Sequence, residues 1–306
     1  MGGLGETIWS ITTSVTPITL EQGFAYALVA LGIALTFRVL AFPDLTVDGS
    51  FPLGGAVAAR LIIEGVDPAL AALAAIVAGF VAGCLTGLLN TKLKINSLLA
   101  GILMMTILYS VNLRIMGRAN IQLITTPTLF TPMETMEISR DIPVIIFFFL
   151  VVLVCKFLTD AFLHTEYGLA LRATGDNEQM IRSLGVDTDK ATVLGLGLSN
   201  ALVAFSGALI AQDQGFADVG MGIGMIVAGL ASIIIGEAVC KPKTVFLLTL
   251  AAVLGSVIYR MIIVVGLRLG LAPTDLKMAT GIMVILALGI PSLKGGRQAK
   301  IHLRGV

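Results

Sequence analysis

The residues of this chain that could do chemistry gather between Tyr167 and Val186, in the run YGLALRATGDNEQMIRSLGV. Arg172, Asp176, Glu178 and Arg182 fall within a few turns of one another, although only 13% of the chain is charged. Such groups at this spacing make charge-assisted hydrogen bonds to another surface, and a guanidinium alone offers five donors. The run supplies no activated nucleophile beside a base. Its pattern predicts a first short helix over Leu169 to Ala173, a break at Gly175, and a second helix from Glu178 to Leu184. Asp176 or Asn177 would cap the start of that second helix and Gly185 its end. A plain solvated loop between two membrane helices is the competing reading.

Elsewhere reactive groups are sparse. His164 and His302 are isolated, and Cys84, Cys155 and Cys240 lie far apart with no Cys-x-x-Cys pair, which reads as buried packing and no metal site. The Met104 and Met105 pair reads as adaptable packing. No G-x-x-x-x-G-K-[ST] phosphate loop is present, and GMGIGM at Gly220 to Met225 lacks the strand and helix that a nucleotide loop needs. No cofactor is expected and an enzyme reading finds no support. A net charge of +1 with scattered basic residues speaks against a nucleic-acid partner.

The elements that must position the charged run are membrane helices. Hydrophobic residues make up 57% of the 306 and mean hydropathy is +0.97, where soluble domains are roughly 45 to 50% apolar. The expected fold is all-α, a polytopic transmembrane bundle of about nine spans, with eight or ten also open. The spans are Gln22 to Phe37, Phe51 to Ile63, Ala69 to Leu89, Ile95 to Leu113, Ile142 to Leu158, Ala191 to Gln212, Val219 to Gly236, Thr244 to Leu267 and Met278 to Leu293. The chain reads as one transmembrane domain over residues 1–306, with a cytoplasmic loop near 160–190 and a cytoplasmic tail near 294–306. The first twenty residues carry no recognisable cleavable signal.

With the charged run placed in the cytoplasm, alternation puts 13 of the 20 Lys and Arg inside, Lys156 among them, and 5 outside, while Arg60 and Arg260 fall within spans. That split follows the positive-inside rule, against which Arg114 and Arg118 stand as exceptions. An odd number of spans leaves the N-terminus outside. The loop from Asn112 to Asp141 is then the longest outer segment, either a connector or a landing surface.

Polar residues inside the spans are costly facing lipid and belong in the bundle interior or on a watery path. Asp48 and Ser50, in TVDGSFPLGG, read as the start of a helix that begins part-way through the membrane, its positive dipole end facing a cavity. They, with Asn112 and Asn200, are the candidates for lining a path; interhelical hydrogen bonding is the alternative for each. Gly79, Gly83 and Gly87, and later Gly266 and Gly270, recur at four-residue spacing, as in closely packed membrane helices.

The charged run resembles the cytoplasmic coupling loop of ABC importer permeases of the branched-chain amino-acid and ribose type. Gly168, Arg172, Ala173, Gly175, Asn177, Gly185 and Val186 fall on its G-x-x-x-R-A-x-G-x-N pattern and closing Gly. Met180, Ile181, Arg182 and Ser183 replace the small residues usual before that Gly. FPDLTVDGSF and NTKLKINSLLAGILMMTIL are most similar to the tryptophan- and tyrosine-type subgroup. The resemblance implies a bacterial inner-membrane permease with a broken second helix, whose loop docks on a separate ATPase. It also implies two ATPase copies, an external substrate-binding protein, a permease homodimer, and an amino-acid substrate. A sugar or nucleoside substrate, and an ion-coupled secondary transporter, are the alternatives.

Overall fold

Apolar runs as long as a bilayer is thick must satisfy their backbone groups internally, so they fold as helices. The computed structural model describes residues 3–134 and 141–268, with positions 270, 272, 275, 278–282 and 285. Helix α1 spans Gly3–Ile33 and runs on as a π-helical turn, Ala34–Val39. It is followed by α2 (Val47–Ile63), α3 (Pro68–Thr91), α4 (Ser97–Met116), the short α5 (Thr131–Glu134), α6 (Asp141–His164) and α7 (Glu166–Ser183). Then come α8 (Thr188–Gln214), α9 (Met225–Cys240) and α10 (Val245–Arg268). The molecule is an all-α polytopic bundle.

Among the described residues, six helices are long and apolar enough to cross a membrane: α1 from Pro17 with its π-helical turn, α3, α4, α6, α8 and α10. The expected second and seventh spans correspond to α2 and α9, shorter at 17 and 16 residues. The expected ninth, Met278 to Leu293, lies mostly outside the described residues. The second helix is not itself broken. It runs uninterrupted from Val47 to Ile63, and the irregular stretch is Leu40 to Leu45, ahead of it.

Helix ends follow local chemistry. The Asp67 side chain accepts the amide of Ala69 at 2.8 Å, with Pro68 in the first turn of α3. Asn96 accepts the amide of Leu98 at the start of α4. Two three-residue strands, missed in the sequence, pair antiparallel: β1 (Asn120–Gln122) with β2 (Phe216–Asp218), Ile121 opposite Ala217. Asn112, read both as a polar residue of the fourth span and as the head of the outer loop, is a buried residue of α4.

The chain divides into two compact units. One holds residues 1–30, 133–154 and 227–306; the other, larger, holds 31–132 and 155–226. In the larger unit, α2 and α3 pack on α8. All three glycines of the first predicted stripe lie at that seam: a Cβ on Gly79 would overlap the Asn200 carbonyl, one on Gly83 the Leu196 carbonyl, and one on Gly87 would come to 2.7 Å from Val193 Cα. Helices thus approach to backbone contact, the drive for association where lipid offers none. In the smaller unit Gly236 and Gly255 bring α9 and α10 together in the same way. Of the second predicted pair, Gly270 does not do this: it lies beyond α10 with φ +100° and nothing near its missing side chain.

Lys156, counted from the sequence among the inner charges, is a buried residue of α6, paired with Asp160 one turn on at 2.5 Å. A buried lysine needs such a partner because an uncompensated charge at this depth is strongly disfavoured.

Candidate coupling and pathway sites

The charged run folds into α7 and its C-terminal turn. Thr165 opens the helix, its hydroxyl accepting the amide of Gly168 at 3.3 Å. Gly168, Leu171 and Thr174 form the buried face, and Leu171 packs on Gly195 of α8. The helix kinks at Asn177, whose φ of −158° and ψ of 92° are extended. The Asn177 side chain accepts the amide of Met180 at 3.0 Å, capping the second half. Two short helices were expected and are found, but the bend lies at Asn177 and not at Gly175. An asparagine that can cap a new turn competes better with the helical backbone than a glycine that has no side chain to offer.

Gly175 has another use. It stays within the helix, and a Cβ there would overlap the carbonyl oxygen of Val39 and stand 2.9 Å from the Leu40 carbonyl carbon. Gly168 is confined similarly by the Phe162 carbonyl. Gly185 does close the element as expected: φ is +87°, its amide reaches the Arg182 carbonyl at 3.1 Å, and the Val186 amide reaches Ile181 at 3.3 Å.

The two arginines of the run differ. Arg182 donates to Glu178 at 2.9 Å, to Asp189 at 2.7 Å and to the Thr188 hydroxyl at 2.7 Å, fastening the second half of α7 to the start of α8. Arg172 is half-buried and makes no hydrogen bond or ion pair among the described residues; Ala173 beside it is also half-buried. At the start of α8, Asp187 accepts the amide of Lys190 at 3.1 Å, which with the Lys190 side chain holds its carboxyl below the usual carboxylate range.

Between α7, the α3–α4 turn and α8 lies a polar cavity of about 420 Å³, lined by Asn90, Lys94, Thr174, Glu178, Arg182 and Asp189 among others. Ala41 and Lys94, which also line it, both have φ of 55°. A non-glycine residue held there costs on the order of 1 to 2 kcal/mol. Ala41 follows directly on Leu40, which Gly175 meets.

From Ala41 the chain enters the interior and builds a fully buried polar cluster. Asp44 accepts the Thr46 amide at 2.9 Å and the Asn200 side-chain amide at 2.7 Å. The Asn200 oxygen contacts the Ser50 hydroxyl, which also reaches the Thr46 carbonyl at 2.8 Å. Thr46 continues to Thr86 of α3, hydroxyl to hydroxyl at 2.9 Å. The Asn112 side chain donates to the Gly49 carbonyl at 3.1 Å; its own oxygen is buried without a partner among the described residues.

Of the four path candidates, the structure therefore joins Ser50 to Asn200 and brings Asn112 onto the backbone of the same α2 turn. Asp48 points elsewhere. Its two oxygens accept the amides of Gly224 at 3.0 Å and Ile226 at 2.9 Å, tying α2 to the turn that starts α9. Thr46, not Asp48, is the N-cap of α2. The centre of the cluster, Asp44, was not singled out in the sequence. Its signal was present: an acidic residue between two apolar runs, six positions ahead of a serine.

The family described as the permease component of branched-chain amino acid transport systems matches residues 18–288. A tyrosine transport system permease protein of Clostridioides difficile is 44% identical over 274 residues, covering 90% of both chains. An uncharacterized protein of Rickettsia prowazekii is 35% identical over 88% of this chain and 95% of its own. An autoinducer 2 import system permease protein of Yersinia pseudotuberculosis is 26% identical over 73% of this chain and 62% of its own. No solved structure matches. A multi-pass inner-membrane protein, this chain belongs to the branched-chain amino acid transport system permease family.

Proposed function

We propose that the chain is the membrane-spanning permease subunit of a bacterial ATP-driven ABC importer for an amino acid, with tyrosine as the first substrate to test. It works as a homodimer with two copies of a separate ATPase and an external binding protein. The observation that carries the reading is the seating of α7: a charged, kinked surface element whose Gly175 backbone lies on Val39, where the first span ends and the chain turns toward the Asp44 cluster. An ATPase gripping the exposed end of α7 through Arg172 and the Asn177 turn would move the segment that feeds the interior. The relative that carries the name tyrosine transport matches over most of both chains, whereas those named for autoinducer 2 import match at 24 to 26% and over less of their length. That contrast favours an amino acid over a sugar.

The test is reconstitution in nanodiscs with the ATPase and binding protein. The isolated chain is expected to hydrolyse no ATP, and the complex to import labelled tyrosine with hydrolysis stimulated by the loaded binding protein. Tyrosine uptake that proceeds without the ATPase, driven by an ion gradient, would replace this reading with a secondary transporter.

A further inference from the structure

Arg260 is an arginine inside a membrane span. At the helical rise of about 1.5 Å per residue it lies about 12 Å from the Arg268 end of α10 and about 22 Å from the Val245 end. Its guanidinium carbon sits 3.5 Å from the ring centre of Tyr26 on α1, and the Tyr259 ring is 6.0 Å away on its own helix. The seam that holds it is tight: the Ser256 hydroxyl, one turn before, donates to the Gly23 carbonyl at 2.8 Å, and Val257 abuts Gly23 where a side chain would be. Yet Arg260 Nε is buried with no hydrogen-bond partner, and the side chain makes no hydrogen bond or ion pair among the described residues.

A cation at this depth calls for an anion or water, because hydrocarbon solvates neither the charge nor the N–H donors. The Tyr26 ring lies against the guanidinium carbon. The N–H donors of Arg260 remain unused among the described residues, and an arginine takes a carboxylate through such donors in two parallel hydrogen bonds. Resting on the permease reading above, we propose that Arg260, held against the Tyr26 ring, binds the carboxylate of the transported solute during its passage. A lipid phosphate offers the same chemistry to the same donors, so the experiment must separate the two.

The permease–ATPase complex is reconstituted in nanodiscs as wild type, Arg260→Gln and Arg260→Lys. Wild-type uptake of tyrosine with binding protein is measured first; if it is absent, the substrate reading fails before the arginine is questioned. Where uptake is present, direct binding of labelled tyrosine without binding protein is expected to weaken at least tenfold in Arg260→Gln. It should recover in part in Arg260→Lys, which keeps the charge but not the planar fork. Tyrosinamide, which lacks the carboxylate, should fail to compete for the wild type. Equal binding by all three proteins, or competition by tyrosinamide as good as by tyrosine, overturns the proposal. So does an anionic phospholipid that co-purifies with wild type and is lost from Arg260→Gln while tyrosine binding is unchanged. Should both variants fail to assemble, the tyrosinamide competition on wild type decides alone.

Discussion

Gly175 meets the carbonyl of Val39 backbone to backbone, with no room for a side chain between them. Val39 ends the π-helical turn of the first span, and five residues later Asp44 joins Thr46 and Asn200 in the buried cluster. A surface element and an interior hydrogen-bond cluster are therefore separated by one short, sharply turned stretch of chain.

Gly175→Val tests that contact. The added side chain must displace either α7 or the Val39–Leu40 backbone, a kind of overpacking that costs about 1 to 3 kcal/mol. That is too little to unfold the spans but enough to shift a docking element. The variant should insert normally and lose binding-protein-stimulated ATP hydrolysis. Unchanged stimulation, measured on membranes with equal assembled complex, would make the contact incidental.

Asn200→Leu addresses the cluster. It removes the side-chain donor to Asp44 and the contact to Ser50, leaving Asp44 buried with one fewer donor. Losing a hydrogen bond to a buried polar group typically costs about 1 to 3 kcal/mol. The thermal midpoint in detergent should fall, and uptake with it. Adding Asp44→Asn to Asn200→Leu should recover part of the loss, since an amide, unlike the stranded carboxyl, cannot ionise; additive losses would show that the pair does not act together.

Much of the architecture was readable beforehand, because span length and the four-residue glycine stripe are local signals. Gly79, Gly83 and Gly87 meet α8 as their spacing required. What was not readable depended on partners distant in sequence. Asp48 looked like a helix cap, yet its carboxylate accepts from the amides of Gly224 and Ile226. Asp44 is meaningful only beside Asn200, 156 positions away. Gly175 looked like a hinge because glycine tolerates any backbone, whereas its neighbour Val39 uses it for close approach.

Orientation is open to chemical labelling. With Cys84, Cys155 and Cys240 replaced, cysteine introduced as Ser183→Cys or Gln298→Cys should react with an impermeant thiol reagent only from the cytoplasmic side. Thr128→Cys should react only from outside. Labelling at position 183 in intact cells would invert the topology derived from the charge split.

Arg172 and Arg182 separate binding to the ATPase from the integrity of α7. Arg182 is half-exposed and spends its donors on Glu178, Asp189 and Thr188. Exposed ion pairs contribute about 0.2 to 1 kcal/mol, so Arg182→Ala should lower the thermal midpoint slightly, with an effect that shrinks as salt is raised. Arg172 has no such partners within the described chain, and Arg172→Ala should leave the midpoint unchanged. If its guanidinium is held instead by an acceptor on the ATPase, its removal costs about 1.5 to 3 kcal/mol of association, roughly ten- to a hundredfold in affinity. The two variants should thus move opposite readouts: Arg182→Ala stability, Arg172→Ala co-purification of the ATPase. An Arg172→Ala protein that retains the ATPase at wild-type affinity would leave this residue without a part in coupling.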